Sequence, residues 1–175
     1  NVVVTAARDA FSLDETATAA VELKGNILPL QADICSRDDC ERTVEFALIE
    51  FGSLFGLVNN AARGISYVRE MSGGEAAPFW EADPGRWVET MTTNVIGTYH
   101  MSAAVGPFMV EQGFGRIINV STSDRSMVRE MNSPYGPGKA ALEAMSVAWA
   151  KEFAGHGVTV NVLLPGGATG YSLTI

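Results

Sequence analysis

The stretch that decides the fold begins with Ile117-Ile118-Asn119-Val120 and continues through a polar loop from Ser121 to Ser133. It then enters Pro134-Tyr135-Gly136-Pro137-Gly138-Lys139 and closes with Val158-Thr159-Val160-Asn161-Val162-Leu163-Leu164. The first run is short, apolar and β-branched, which reads as a buried strand. Proline is favoured in the first turn of a helix, so Pro134 opens a helix that ends near Gly155-His156-Gly157. The last run is a second strand, stopped by Pro165-Gly166-Gly167. A strand, a long helix and a strand make a βαβ unit, whose crossover sets the two strands parallel.

Reading outward, the same alternation recurs. Val2-Val3-Val4-Thr5-Ala6 is a strand and is followed by an alanine-rich helix over 14–23. Asn26-Ile27-Leu28-Pro29-Leu30-Gln31-Ala32 is a strand, with Pro29 suiting an edge. Ser36 caps a helix with Asp38 and Asp39 in its first turn, and the helix stops at Gly52. Leu57-Val58-Asn59-Asn60 is a strand. Asp83-Pro84 starts a helix that continues to about Gln112. The expected architecture is a single α/β domain over 1–175: a Rossmann-type, doubly wound parallel sheet in a three-layer α/β/α arrangement. The 22-residue connection from Ala62 to Asp83 is too long for a plain link and points to function.

Bulk properties narrow the function. Of 175 residues, 47% are hydrophobic and 18% charged, enough apolar material for a sizeable core. The net charge of −8 argues against nucleic acid and anionic membranes as partners. There is no apolar run of about 20 residues and no leader pattern at the start, so a cytoplasmic protein is expected. Cys35 and Cys40 point to different faces of a helix-like stretch, which argues against a disulfide. His100 and His156 lie far apart without ligand-spaced neighbours, so no metal is expected.

Ligands of such sheets bind beyond the carboxyl ends of the strands. Those ends carry Ala6-Ala7-Arg8, Asp33-Ile34, Asn60-Ala61-Ala62, Ser121-Thr122-Ser123 and Pro165-Gly166-Gly167. Small residues there let a flat ligand approach the backbone. Tyr135 and Lys139 stand four apart on one helix face. An ammonium beside a phenol stabilises the phenolate, which suits proton exchange with a carbonyl or alcohol oxygen.

Six segments, in order, resemble the classical short-chain dehydrogenase/reductase family. They are Ala32-Asp33-Ile34, Leu57-Val58-Asn59-Asn60-Ala61-Ala62, Asn94-Val95-Ile96-Gly97, Gly115-Arg116-Ile117-Ile118-Asn119-Val120-Ser121, Tyr135-x-x-x-Lys139 and Pro165-Gly166. The resemblance implies NAD(P)-dependent hydride transfer between nicotinamide and a small carbonyl or alcohol substrate. It implies Tyr135 as acid/base, Lys139 as the residue that activates the tyrosine and holds the nicotinamide ribose, and Asn94 as the holder of a proton relay. It implies cofactor contacts at Asp33 and Ile34 (adenine), at Asn60, Ala61, Ala62 and Ser121, and at Pro165, Gly166 and Thr169 over the nicotinamide. A homodimer or homotetramer is implied, built through the helices over 83–112 and 134–154. Two other readings stand beside it: a 3-oxoacyl-acyl-carrier-protein reductase-like activity, and a non-catalytic dinucleotide-binding protein of the same fold.

The sequence departs from the family pattern in several places. The family's catalytic serine is matched by Thr122, 28 residues after Asn94 and 13 before Tyr135; a one-residue shift would substitute Ser121 or Ser123. Phe55 stands where an Asp is usual and Ala62 where Gly is usual. No acidic residue ends the first strand, while Arg8 follows it; this favours NADP ahead of NAD. The family's opening strand, Gly-rich turn and helix have no counterpart here, nor does its C-terminal segment. The chain as read is therefore expected to be a piece of a larger protein. The connection after Ala62, with Arg63, Arg69, Met71, Phe79 and Trp80, is expected to shape the substrate pocket, and the loop with Met127, Val128 and Met131 is a second candidate for that role.

Overall fold

A computed structural model describes residues 1–22, 25–69, 71–72 and 75–165. Strand β1 (Val2–Ala6) leads through α1 (Ala10–Ala19) to β2 (Ile27–Gln31), and the two strands pair in parallel. Helix α2 (Arg37–Phe51) leads to β3 (Gly56–Asn59). The connection that follows holds α3 (Ile65–Val68), an antiparallel pair β4 (Met71–Ser72) and β5 (Glu75–Ala76), and a 3₁₀ turn at Phe79–Glu81. Helix α4 (Pro84–Met91), a wider π-helical turn (Thr92–Gly97) and α5 (Thr98–Gln112) form one continuous rod. Strand β6 (Gly115–Val120), α6 (Asp124–Met127), α7 (Tyr135–Glu152) and β7 (Val158–Leu163) complete the order. The fold is the expected α/β type with parallel strands. Its described parallel strands form two pieces, β1–β2 and β3–β6–β7.

Local chemistry explains most boundaries. The Ser36 hydroxyl accepts from the Asp39 N–H at the start of α2, and Gly52 closes that helix in the left-handed region at φ 73°. The Asp83 carboxylate accepts from the Arg86 N–H at 2.7 Å, with Pro84 at the first helical position. Helix α1 starts earlier than the expected 14–23, because Asp9 accepts from the Ser12 N–H and caps it there. The connection over 62–83, read as too long for a plain link, contains a short helix, and so does the stretch over 121–133 that was read as a loop.

The core sits between β6–β7 and their helices. Val44 of α2, Val105 and Met109 of α5, Ile117 of β6, and Val158 and Val160 of β7 are buried together, with Trp149, Ala150 and Phe153 against them. Burial of each such side chain contributes roughly 1.5–3 kcal/mol. Helices α2, α5 and α7 thus cover one face of β3–β6–β7. On the other face Val58, Thr159, Asn161 and Leu163 are exposed.

Polar residues occupy the carboxyl end of the covered face. Asn59 donates from Nδ2 to the Asn119 Oδ1 at 2.8 Å and to the Ser102 hydroxyl at 3.0 Å. Asn119 donates in turn to the Ser146 hydroxyl at 2.8 Å. All four residues are buried, so this chain ties two strands to both α5 and α7. Each bond contributes about 1 kcal/mol net, whereas leaving one partner unmet inside costs about 1–3 kcal/mol.

Candidate active site

The site is built where β6 hands over to α7. Tyr135 is the first residue of α7 and is half-buried, with Lys139 one turn later on the same face. The Lys139 Nζ donates to the Val120 carbonyl at 2.6 Å, at the last residue of β6. It lies 5.7 Å from the centroid of the Tyr135 ring. Lys139 is only 4% exposed. Among the described residues Val120 is its one hydrogen-bond partner, which leaves two ammonium N–H groups for a ligand. Burial pushes its pKa down to about 8, so the ammonium form still dominates at neutral pH.

The start of α7 is held rigidly. Gly136 N–H donates to the Asn132 carbonyl at 2.8 Å. A Cβ at Gly136 would come within 2.0 Å of the Met127 carbonyl oxygen, so the residue beside Tyr135 must be glycine.

Three neighbouring hydroxyls follow β6, and the structure separates them. Ser121 is buried and donates to the Glu143 carboxylate at 2.6 Å. Ser123 caps α6 and bonds Ser126. Thr122, half-buried between them, has no hydrogen-bond partner among the described residues. It is the hydroxyl left available.

Asn94 lies in the π-helical turn and is 1% exposed. Its Oδ1 accepts from the Arg63 N–H at 2.7 Å and its Nδ2 donates to the Arg63 carbonyl at 3.0 Å. The helix is widened here rather than broken, and the side-chain amide pairs with both backbone groups of Arg63. This turn is a meeting point. The Arg63 Nε donates to the Thr93 hydroxyl at 3.0 Å, and the Cys35 thiol meets that same hydroxyl at 3.5 Å. Gly97 packs so closely on Ile34 that a Cβ would stand 2.7 Å from Ile34 Cγ1. Helix α7 approaches through Gly138, where a Cβ would lie 3.7 Å from that of Asn94. The π-helical turn therefore gathers the segments after β2 and β3 against the Tyr135–Lys139 helix, a position where such turns often serve function.

The remaining expected contacts line the strand ends. Asp33 is half-buried; its Oδ1 accepts from the Cys35 N–H at 2.9 Å, and its own N–H donates to Asp39. That bond, followed by Arg42, holds the Asp39 carboxyl below its usual range. The Ile34 carbonyl meets the Cys40 thiol at 3.4 Å and the His100 Nδ1 at 3.3 Å. Asn60 and Ala61 are exposed and Ala62 is half-buried. Arg8 is exposed two residues past β1, and Pro165 is exposed past β7. Gly166 and Thr169 lie outside the described residues. Burial raises both thiols, Cys40 to about 12, so neither is a thiolate nucleophile. Among the described residues no acidic, histidine or cysteine cluster could hold a metal, and no helix is long and apolar enough to cross a membrane.

The residues present fit a nucleotide cofactor. A carboxylate (Asp33), small residues (Ala61, Ala62) and a buried ammonium with spare donors (Lys139) lie along one set of strand ends. Sequence reasoning missed Ser146 and Glu143, gave Asn119 no role of its own, and did not foresee that Arg63 pairs with Asn94. An asparagine inside the apolar run Ile117-Ile118-Asn119-Val120 was the available signal, because a buried amide demands partners.

A model of the short chain dehydrogenase family matches residues 1–171. The 3-oxoacyl-acyl-carrier-protein reductase FabG of Thermotoga maritima is 30% identical over 157 residues, 89% of this chain and 59% of its own length. Glucose 1-dehydrogenase 2 of Bacillus subtilis is 28% identical over 95% of this chain and 61% of its own. The chain thus spans about three fifths of these curated relatives. Among solved structures, a metagenomic short-chain oxidoreductase in complex with NADP superposes with a TM-score of 0.82 at 25% identity, covering 95% of this chain and 71% of that one. An NAD⁺-bound xylitol dehydrogenase gives a TM-score of 0.84 at 23% identity, covering 95% and 61%, and speaks to the fold alone.

Proposed function

The chain belongs to the short-chain dehydrogenase family, and from that premise we propose that it serves an oxidoreductase that moves a hydride between NADP or NAD and a carbonyl or alcohol carbon. One observation carries the reading: a buried ammonium, Lys139, fixed at the tip of β6 and one helical turn from Tyr135. When bound, the nicotinamide supplies or accepts the hydride. Tyr135 gives a proton to the substrate oxygen in reduction and takes it back in oxidation. Lys139 holds a positive charge one helical turn from Tyr135 and would offer its spare N–H groups to the cofactor ribose. The Thr122 hydroxyl donates to the same substrate oxygen and orients it. Asn94, packed beside Gly138 of α7, holds the water of a proton relay to Lys139. Asp33 and the Ile34 backbone take the adenine end, and Asn60, Ala61, Ala62, Ser121 and Pro165 flank the cofactor, with Gly166 and Thr169 following.

Arg8, exposed at the end of a strand that lacks an acidic terminus, supports NADP over NAD. Val88, Ile96, Tyr99, Phe108 and Val147 expose apolar surface on α4, α5, α7 and the turn between, supporting a homodimer or homotetramer. The acidic charge and free cysteines suit the cytoplasm. A second reading, reduction of a 3-oxoacyl group on an acyl-carrier protein, draws support from the resemblance to FabG and from exposed Arg125 and Arg129 beside the site, which suit an acidic carrier.

The test is a cofactor-oxidation screen on the full-length protein, with NADPH and NADH against ketones, sugars and acyl thioesters. Turnover with at least one carbonyl class is expected. No turnover, with cofactor still bound, would favour a non-catalytic dinucleotide-binding role.

A further inference from the structure

Arg69 does something that its position in a long connection does not require. It follows α3, yet its side chain is 2% exposed. The Nη1 donates to the Ala77 carbonyl at 2.6 Å and meets the Met131 sulfur at 3.7 Å. The Nη2 donates to the Ser133 carbonyl at 2.5 Å, 64 residues along the chain. The Nε is buried with no partner among the described residues. The ion pairs among the described residues do not include it. Burying a guanidinium against carbonyls alone is expensive, and an apolar side chain would fill the space at lower cost. What arginine adds is the rigid fork, which reaches two carbonyls in a fixed geometry.

The two carbonyls belong to segments that matter. Ala77 ends the β4–β5 excursion in the connection expected to shape the substrate pocket. Ser133 stands two residues before Tyr135. Between them Met131 adopts φ 60°, a left-handed conformation that a methionine holds only when its surroundings enforce it. Its sulfur rests against the same guanidinium. The turn that delivers Tyr135 is thus pinned on one side by Gly136 on Met127 and on the other by Arg69.

We propose that Arg69 is a positioning residue that latches the 62–83 connection onto the Met131–Ser133 turn, so that the substrate-shaping segment and the presentation of Tyr135 move as one unit. This rests on the reading of Tyr135 as the proton-transfer residue. The substrate sensed by the connection then governs how Tyr135 is set, and the latch acts on turnover rather than on cofactor binding.

Full-length protein carrying Arg69→Lys, which keeps the charge but lacks the fork, and Arg69→Met tests this. Three readouts are needed: kcat and KM for the best carbonyl in the screen, NADPH affinity by its fluorescence, and hydrogen exchange of peptides spanning 65–80 and 126–136. Both variants are expected to lower kcat about tenfold or more, to leave NADPH affinity within about twofold, and to speed exchange in both segments together. The proposal is overturned if Arg69→Lys keeps full kcat, or if exchange rises in 65–80 while 126–136 is unchanged. Should the wild type itself show no turnover, the oxidoreductase reading fails, and the exchange result alone then decides the latch: joint loosening upholds it and separate loosening removes it.

Discussion

The two pieces of sheet use the same parallel pairing and treat polar side chains in opposite ways. In β3–β6–β7 the polar groups of the covered face are inside: Asn59, Asn119, Ser146 and Lys139 are buried and bonded to strands and helices of this piece. In β1–β2 they are outside: Arg8 and Gln31 are exposed, and Asp33 is half-buried just past the strand. Proton transfer needs atoms held within fractions of an ångström, whereas recognising the outer parts of a nucleotide tolerates side chains that settle on binding. On the proposed function, one wing serves geometry and the other contact.

Substitutions in the first wing should therefore be far more damaging to chemistry than those in the second. The largest effect is expected for Tyr135→Phe, with turnover reduced by about 10³-fold or more and NADPH affinity within a few-fold of wild type, measured by steady-state rates and cofactor fluorescence. Next is Thr122→Val, with kcat reduced about 10²-fold, while Thr122→Ser stays within a few-fold. Near-normal activity in Thr122→Val would hand the role to Ser121 or Ser123. Asn119→Ala leaves the Asn59 amide and Ser146 unmet, so chemical denaturation should show a loss of about 2–4 kcal/mol. In the second wing, Arg8→Ala should raise KM for NADPH about tenfold and leave NADH unchanged, a difference of about 1.4 kcal/mol. If Arg8→Ala proved as damaging as Thr122→Val, the contrast between the wings would fail.

The same contrast governs what was legible in the sequence. Elements with a local chemical signature could be read: Ser36, Gly52 and Asp83-Pro84 mark helix ends by their own hydrogen bonding and backbone preference. Tyr135 and Lys139 share a face by helical period alone, and the structure keeps them together. Helix α1 was misplaced because its alanine-rich pattern carries little directional information, so the Asp9 cap decided its start. The π-helical turn at Asn94 arises from one tertiary demand, pairing with both backbone groups of Arg63, which no local pattern records. The choice among Ser121, Thr122 and Ser123 likewise depended on partners at Glu143 and Ser126. Arg69 was placed in the pocket-shaping connection, but its bond to Ser133 could not be read, because burial by a distant turn leaves no mark on its neighbours.

The central claim is that the charge on Lys139 empowers Tyr135. Burial sets the Lys139 pKa at about 8, below the lysine norm, so its charge is full well below that pH and fades as pH rises through it. The deciding measurement is kcat/KM for carbonyl reduction from pH 6 to 10, in full-length wild type and in Lys139→Arg. The wild type should fall above about pH 8, while the arginine variant, slower overall, should hold its plateau past about pH 9 because a guanidinium keeps its charge. A wild-type profile with no fall between about pH 7 and 9, or the same fall in both proteins, would contradict the account.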